Sequence, residues 1–117
     1  MKTISDFLDI LPYGRESGLT AEALYNLVQP GYSTDKFNRL LRELSSEARK
    51  LGHRVIGDDK GYYLALNEKE WKDYCNRRYC AIRNELVSLA GAERISIVDL
   101  LKMVYSVNVN DKNFNLF

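Results

Sequence analysis

Apolar residues recur at helical spacing in two stretches near the start of the chain. The first stretch is Ile4–Leu11, and Pro12 ends it because proline cannot supply the next backbone hydrogen bond. The second follows Thr20, which is a good N-cap residue, and Pro30 breaks it. The pattern therefore predicts two short amphipathic helices, and Leu19 between them is a candidate for a very short strand.

A third amphipathic helix is predicted after a turn of about four residues. Ser33 or Thr34 caps it, and Gly52 ends it after about Leu51, since glycine readily adopts the left-handed conformation of a helix terminus. Its apolar positions are Phe37, Leu40, Leu41, Leu44, Ala48 and Leu51. Two helices joined by a short turn, the second of them basic on its outer side, are typical of a helix-turn-helix.

Residues 52–66, GHRVIGDDKGYYLAL, predict a β-hairpin. The first strand ends at Ile56, residues 57–61 form a polar turn, and the chain returns from Tyr62 onward. Because side chains alternate across a strand, Tyr62 and Tyr63 point to opposite faces. One of them is expected in the core, and the other could pack on the sheet or donate a hydrogen bond to a phosphate.

Two more helices are predicted behind the hairpin. Asn67 caps the fourth, Glu70 stands three residues on in a capping box, and the helix continues until Gly91 ends it. Ser96 is predicted to cap a fifth helix over SIVDLLKMVYSV. The tail from residue 108 has no clear periodicity and could be a strand or a frayed end.

The C-terminal third, residues 67–117, is predicted to be a helical extension of a domain formed by residues 1–66. The fifth helix is apolar around most of its circumference, so it is deeply packed or part of an interface. The candidate interface residues are Ile82, Leu86, Leu89, Ile97, Leu100, Leu101 and Val104. They could pack within one chain and leave a monomer, but we expect a homodimer with two recognition helices about one DNA turn apart.

Charge is concentrated in the third helix, although the whole chain is nearly neutral. Seventeen basic and sixteen acidic residues give a net charge of +1, which is far from the balance of a non-specific nucleic-acid coat. Residues 33–54 carry six basic and three acidic side chains, a net +3, whereas residues 1–32 carry two and four, a net −2.

Arginine, lysine, asparagine and hydroxyl side chains on such a helix can contact base edges and phosphates. The candidate DNA-binding residues are Ser33, Thr34, Lys36, Asn38, Arg39, Arg42, Arg49, Lys50, Arg54 and Lys60. A solvated charged helix face is the alternative interpretation.

The hairpin turn also contains two acidic residues. The carboxylates of Asp58 and Asp59 would be repelled by phosphate, whereas Lys60 and Arg54 would be attracted to it. The sequence therefore leaves open whether the hairpin contacts DNA.

Catalysis finds little support in the sequence, so we expect a protein that is not an enzyme. His53 is the single histidine, there is no Walker lysine motif, and Cys75 and Cys80 lie about 140° apart on one helix, where they cannot form a disulfide with each other. Cysteines and histidine are too few for a zinc site, so no metal or cofactor is expected. Because no uninterrupted apolar stretch approaches the length of a membrane span, a cytoplasmic location without membrane attachment is expected.

From Leu19 to about Leu89 the chain resembles small winged-helix proteins of the kind encoded by phages and prophages. The matching stretches are GLTAEALYNLV, STDKFNRLLRELSSEARKLGHRVI, KGYYLAL and NEKEWKDYCNRRYCAIRNELVSL. The resemblance implies a mainly helical fold with a small β-hairpin, in which a winged helix-turn-helix is followed by a long helix and a further helix.

The same resemblance implies binding to double-stranded DNA in the control of transcription or replication. Winged helices also serve as protein-binding modules, since a fold does not fix a function. The alternative is therefore a phage-encoded inhibitor of a host or defence protein, built on the same scaffold.

Overall fold

The computed structural model describes Met1 and residues 3–106, which are mainly helical and contain a small antiparallel hairpin. The helices are α1 (Ile4–Ile10), α2 (Ala21–Val28), α3 (Thr34–Lys50), α4 (Glu68–Glu93) and α5 (Ile97–Tyr105), and the strands are β1 (Val55–Asp58) and β2 (Gly61–Leu64). This confirms the predicted mainly helical class with one hairpin. The last residue of the predicted fifth helix and the tail from residue 108 lie outside the described residues.

The chain divides into two compact units, Met1–Tyr74 and Cys75–Phe117. The long helix α4 is shared, because its first two turns belong to the first unit and the remainder to the second. The boundary predicted at residue 66 falls just before this helix.

Every α-helix of the described chain begins at a residue with a capping side chain. The caps are Thr3, Thr20, Ser33, Asn67 and Ser96, and each side-chain oxygen accepts a hydrogen bond from the backbone N–H three residues ahead, at 2.9 to 3.2 Å. Such a bond satisfies one of the amides that a helix start leaves without an intrahelical partner. The caps predicted for α2, α3, α4 and α5 are therefore confirmed.

The core of the first unit lies between its three helices and the first strand. Its buried residues are Phe7, Leu11, Leu24, Phe37, Leu41, Leu44, Ala48 and Val55. The apolar spacing of α3 predicted four of them, but Leu51 is 67% exposed and does not belong to the core. The reason is that α3 ends at Lys50, and Gly52 then turns the chain with a φ of +94°.

The hairpin turn is shorter than predicted. Asp58 pairs with Gly61, so the turn contains two residues, Asp59 and Lys60, instead of the five at 57–61. A two-residue turn keeps the ladder of hydrogen bonds intact and suits the twist of the strands.

The segment before α2 adds a third line of pairing beside β2. The Leu19 amide donates to the Tyr62 carbonyl at 3.0 Å, and the Tyr62 amide donates to the Leu19 carbonyl at 2.8 Å. Further along, the Leu64 amide donates to the Pro12 carbonyl at 2.8 Å. The short strand predicted at Leu19 is confirmed, and β2 is hydrogen-bonded along both of its edges.

The fourth helix continues past Gly91, which was predicted to end it. Glycine inside a helix costs only about 1 kcal/mol relative to alanine, which neighbouring residues can offset. The helix ends instead at Glu93, where Arg94 adopts a φ of +56° and the Ile95 amide donates to the Ala90 carbonyl at 3.0 Å.

The close approach of two backbones at Gly61 gives the first testable prediction. A Cβ atom on residue 61 would lie 2.3 Å from the Leu19 carbonyl oxygen, and the φ of +102° disfavours any side chain. We expect Gly61→Ala to lower the free energy of unfolding by about 3 kcal/mol or more, measured by urea denaturation.

Gly31→Ala is the matched control, because Gly31 has a φ of +79° but no atom lies within 4 Å of the point where a Cβ would stand. It should lower the free energy of unfolding by about 1 to 2 kcal/mol, which is the cost of the left-handed conformation alone. Equal losses in the two variants would contradict the steric role of the contact between Leu19 and Gly61.

Candidate nucleic-acid interface

The helix α3 has two chemically distinct sides. Phe37, Leu41, Leu44 and Ala48 are buried at intervals of three and four residues, which fixes one side of the helix against the core. At 100° per residue, Arg39 and Arg42 must then face away from the core, and the structure exposes both. The sequence therefore determines which side of α3 solvent and ligands can reach.

Arg39 and Arg42 form what we call the basic face of α3. They are three residues apart and therefore neighbours on the helix surface. Neither forms a salt bridge with another residue of the described chain. Two exposed guanidinium groups without a carboxylate partner are available to an anionic ligand.

Four other predicted DNA-binding residues at the start of α3 are placed differently. The Ser33 hydroxyl caps the helix by accepting from the Lys36 amide at 3.2 Å, and the Lys36 ammonium lies 5.0 Å from the centre of the Tyr32 ring. Thr34 is exposed and Asn38 is half-buried. This end of α3 combines polar groups that solvent reaches with groups that stabilise the helix itself.

The predicted residues at the end of α3 contact protein groups. The half-buried Arg49 donates from Nη1 to the Val55 carbonyl at 3.1 Å, which ties α3 to β1. The Lys50 ammonium lies 3.1 Å from a carboxylate oxygen of Glu47. Spacing alone could not separate Arg49 from Arg39 and Arg42, because its partner lies in the strand that follows the helix, whereas Glu47 stands three residues before Lys50 on the same helix.

Arg54, just before β1, interacts with the beginning of α4. Its guanidinium forms a salt bridge with Glu68 and lies 5.7 Å from the centre of the Trp71 ring. The hydrogen bond from Arg54 lowers the pKa of the Glu68 carboxyl. Trp71 is half-buried, and the centre of its ring lies 5.6 Å from that of the buried Tyr74.

The negative charge of the hairpin turn is partly compensated by Arg15. The Arg15 guanidinium lies 3.4 Å from Asp58 and 2.7 Å from Asp59, and its hydrogen bond lowers the pKa of the Asp59 carboxyl. A cation from the loop before α2 thus pairs with both carboxylates that are unfavourable for DNA binding and offsets one of their two negative charges. No local pattern in the sequence indicates this pairing, since 43 and 44 residues separate the partners.

Asp58 also holds the buried end of the hairpin. Its Oδ2 accepts a hydrogen bond from the hydroxyl of Tyr63 at 2.7 Å, and its Oδ1 accepts from the Lys60 amide at 2.9 Å. Tyr63 is only 1% exposed, and its burial raises the pKa of the phenol. Asp58 is therefore a structural residue of the turn, and Tyr63 is the tyrosine of the pair that enters the core.

Glu70 fixes the loop that carries Arg15. One carboxylate oxygen accepts from the Arg15 amide at 3.1 Å, and the other accepts from the Leu66 amide at 3.0 Å. Of the capping box predicted for Asn67 and Glu70, the hydrogen bond from the Glu70 amide to the Asn67 side chain is present. The Glu70 carboxylate binds the amides of Arg15 and Leu66 instead of the Asn67 amide. This contact stabilises the position of the cation that compensates the turn.

Tyr62 is a candidate contact residue that the sequence left undecided. Its ring lies against Gly57, the residue opposite it in the hairpin, and the nearby charges of Arg42 and Arg49 oppose the rise in phenol pKa that burial causes. The Tyr62 hydroxyl has no hydrogen-bond partner in the described part of the chain. The tertiary structure therefore places the phenol of Tyr62 within electrostatic range of Arg42 and Arg49 of α3.

Lys60 occupies the tip of the turn and is exposed. Its ammonium group makes no salt bridge with a described residue, although its charge helps to lower the pKa of Asp59. Of the predicted set, Thr34, Arg39, Arg42 and Lys60 are thus exposed without a protein partner for their side chains among residues 1 and 3–106.

The described part of the chain contains neither a candidate membrane-spanning helix nor a candidate metal site. No described helix combines the length and the hydrophobicity needed to cross a membrane. No group of three or more His, Cys, Asp and Glu side chains in the described chain lies close enough together to hold a metal ion.

Comparison of the chain with family models, with curated proteins and with solved structures gave no match.

The hydrogen bond between Asp58 and Tyr63 gives the second prediction. Asp58→Ala should lower the free energy of unfolding by about 1 to 3 kcal/mol, because it leaves the buried Tyr63 hydroxyl without a partner. The double variant Asp58→Ala with Tyr63→Phe should lose less than the sum of the two single changes. Urea denaturation of the four proteins measures the coupling.

Asp59→Ala is the control for this cycle, because Asp59 pairs with Arg15 rather than Tyr63 and its side chain is 76% exposed. We expect little change in stability from it. Strict additivity of Asp58→Ala and Tyr63→Phe would show that the hydrogen bond does not stabilise the hairpin.

Proposed function

We propose that the first unit, Met1–Tyr74, is a winged helix-turn-helix that binds double-stranded DNA, and that the protein is a non-enzymatic regulator. The helices α2 and α3, the turn between them and the hairpin that follows have the order expected of this fold. The pairing of Leu19 with β2 supports the assignment, because it joins the hairpin to the helical part.

The observation that carries the proposal is the basic face of α3. Arg39 and Arg42 are exposed, unpaired among the described residues and aligned on the outer side of a helix whose opposite side is buried. A helix of this kind can enter the major groove, where an arginine can donate two hydrogen bonds to the O6 and N7 atoms of guanine. Arg39 and Arg42 would then recognise bases, and the exposed Thr34 near the start of the helix would be a further contact residue.

The hairpin would contact the DNA backbone beside that groove. Lys60 would interact with phosphate by its charge, and the Tyr62 hydroxyl, whose pKa is raised by burial and lowered by the charge of Arg42, would donate a hydrogen bond to a phosphate oxygen. The pairing of Arg15 with Asp58 and Asp59 reduces the repulsion between the turn and the phosphates. The resemblance to phage and prophage winged-helix proteins supports a role in transcription or replication.

A second candidate is a protein that inhibits a host or defence protein through an apolar surface. The observation that favours it is the exposure of large apolar side chains in the C-terminal unit, including Tyr79, Ile82 and Val98. A salt titration separates the two candidates. Binding to random duplex DNA should weaken steeply as salt rises, whereas an inhibitor of this second kind would show little affinity for DNA at any salt concentration.

The third prediction concerns the two arginines of α3. Arg39→Ala and Arg42→Ala should each weaken binding to a selected DNA site by about 1 to 3 kcal/mol and relax the sequence preference, because each loses contacts to a base edge. Fluorescence anisotropy with the selected site and with single-base variants of it measures both effects.

Lys69→Ala is the matched control, since it removes one positive charge from the same unit at a residue that pairs with Asp73 on α4. It should leave DNA affinity nearly unchanged. If the double variant Arg39→Ala with Arg42→Ala binds DNA as the wild type does, α3 is not the recognition helix.

The fourth prediction concerns the hairpin turn. Lys60→Ala should weaken binding equally for all DNA sequences and reduce the slope of log affinity against log salt by about one, because a phosphate contact is lost. The measurement is a salt titration with specific and random duplexes. A loss confined to the specific site would instead assign base recognition to the turn.

A further inference from the structure

The second unit has very little core of its own. Within its described part, residues 75–106, Ala90 and Leu100 are the buried apolar residues. The large apolar residues that remain exposed there are Tyr79, Ile82, Val87, Leu89, Ile97, Val98, Met103 and Tyr105. Two helices joined by a short turn therefore present most of their apolar side chains to solvent.

Part of this exposure forms one continuous surface. On α4, Tyr79, Ile82, Leu86 and Leu89 follow one another at intervals of three, four and three residues, and we call this row the apolar stripe. Ile97 of α5 lines the same groove of about 250 Å³ as three members of the stripe. The surface thus extends from one helix to the other.

The spacing of the stripe indicates what kind of element covers it. Apolar residues that repeat every three and four residues form the contact line of helices packed side by side, as in coiled coils. A short peptide in extended conformation would not match this period, because its side chains alternate every two residues. A second helix with a similar row would be complementary to this surface.

The exposed apolar side chains can supply the centre of an interface between two chains. An aromatic side chain alone buries about 150–250 Å², and Tyr79, Ile82, Leu89 and Ile97 are the four of the eight exposed residues that belong to this surface. A standard interface buries about 800 Å² on each partner. A small unit with little core is often stabilised by a disulfide, a metal or association with another chain, and both cysteines of this protein are free.

We propose that the apolar stripe of α4, together with Ile97 of α5, binds the same surface of a second copy of this chain in a two-fold symmetric dimer. A second copy supplies a helix with the required period and is always present at the same concentration. A two-fold interface is self-complementary, so the row on one chain covers the row on the other. The proposal does not depend on DNA binding.

Sedimentation equilibrium of the full chain without DNA, at micromolar concentrations, tests the dimer. The wild type should have twice the mass of the chain. Ile82→Glu should reduce this to the monomer mass, because it places a charge in the centre of the stripe. Asn84→Glu is the matched control and should remain dimeric, since residue 84 is exposed about 160° around the helix from Ile82.

A second variant guards against an effect of Ile82→Glu on folding. Tyr79 is 63% exposed, so Tyr79→Ser removes its ring without opening a cavity in the folded chain. It should raise the dissociation constant of the dimer roughly tenfold or more while leaving the far-ultraviolet circular dichroism unchanged.

Two results would overturn the proposal. A wild-type chain that keeps the monomer mass throughout would assign the apolar surface to a different partner. A dimer that persists in both Ile82→Glu and Tyr79→Ser would place the contact between copies elsewhere. Neither result would bear on the DNA affinity of α3, which is measured separately.

Discussion

The first unit depends on the pairing of β2 along both of its edges. β1 lies on one edge, and on the other the backbone of Leu19 exchanges two hydrogen bonds with Tyr62. The second contact fits because Gly61 has no side chain to meet the Leu19 carbonyl. It joins the loop before α2 to the hairpin after α3, so the helices and the hairpin form one compact unit. The pairing of Leu19 with Tyr62 therefore helps to hold the hairpin beside α3.

The pairing of the Leu19 segment with β2 also determines where the charges of the first unit lie. The loop that reaches β2 carries Arg15, which pairs with the two carboxylates of the hairpin turn, and Glu70 holds the backbone of that loop. The acidic groups of the turn are thus compensated within the protein, while Arg39 and Arg42 keep their charge without a partner among the described residues. A nearly neutral chain can in this way present a local cationic surface, which is what electrostatic attraction of an anion requires.

The C-terminal unit obeys a different constraint, which is its small size. A helix pair of this length cannot bury large side chains on both helices by itself, because its surface is large relative to its volume. Leu100 is buried, whereas Ile82 and Tyr79 remain exposed. The apolar residues that the fold leaves exposed are the basis of the proposed dimer, and their helical period is compatible with the packing of one helix against another.

The sequence by itself determined the helices, their caps and the exposed side of α3, because capping and apolar periodicity are local properties of the chain. It also indicated the hairpin and the short strand at Leu19. Only the tertiary structure decided that Arg49 binds the Val55 carbonyl, that Arg15 compensates the acidic turn, and that Tyr63 rather than Tyr62 is buried. These outcomes join residues of different structural elements or distinguish residues that are equivalent in local pattern. The contacts depend on which backbone segments pair with each other, and the local spacing of residue types does not predict that pairing.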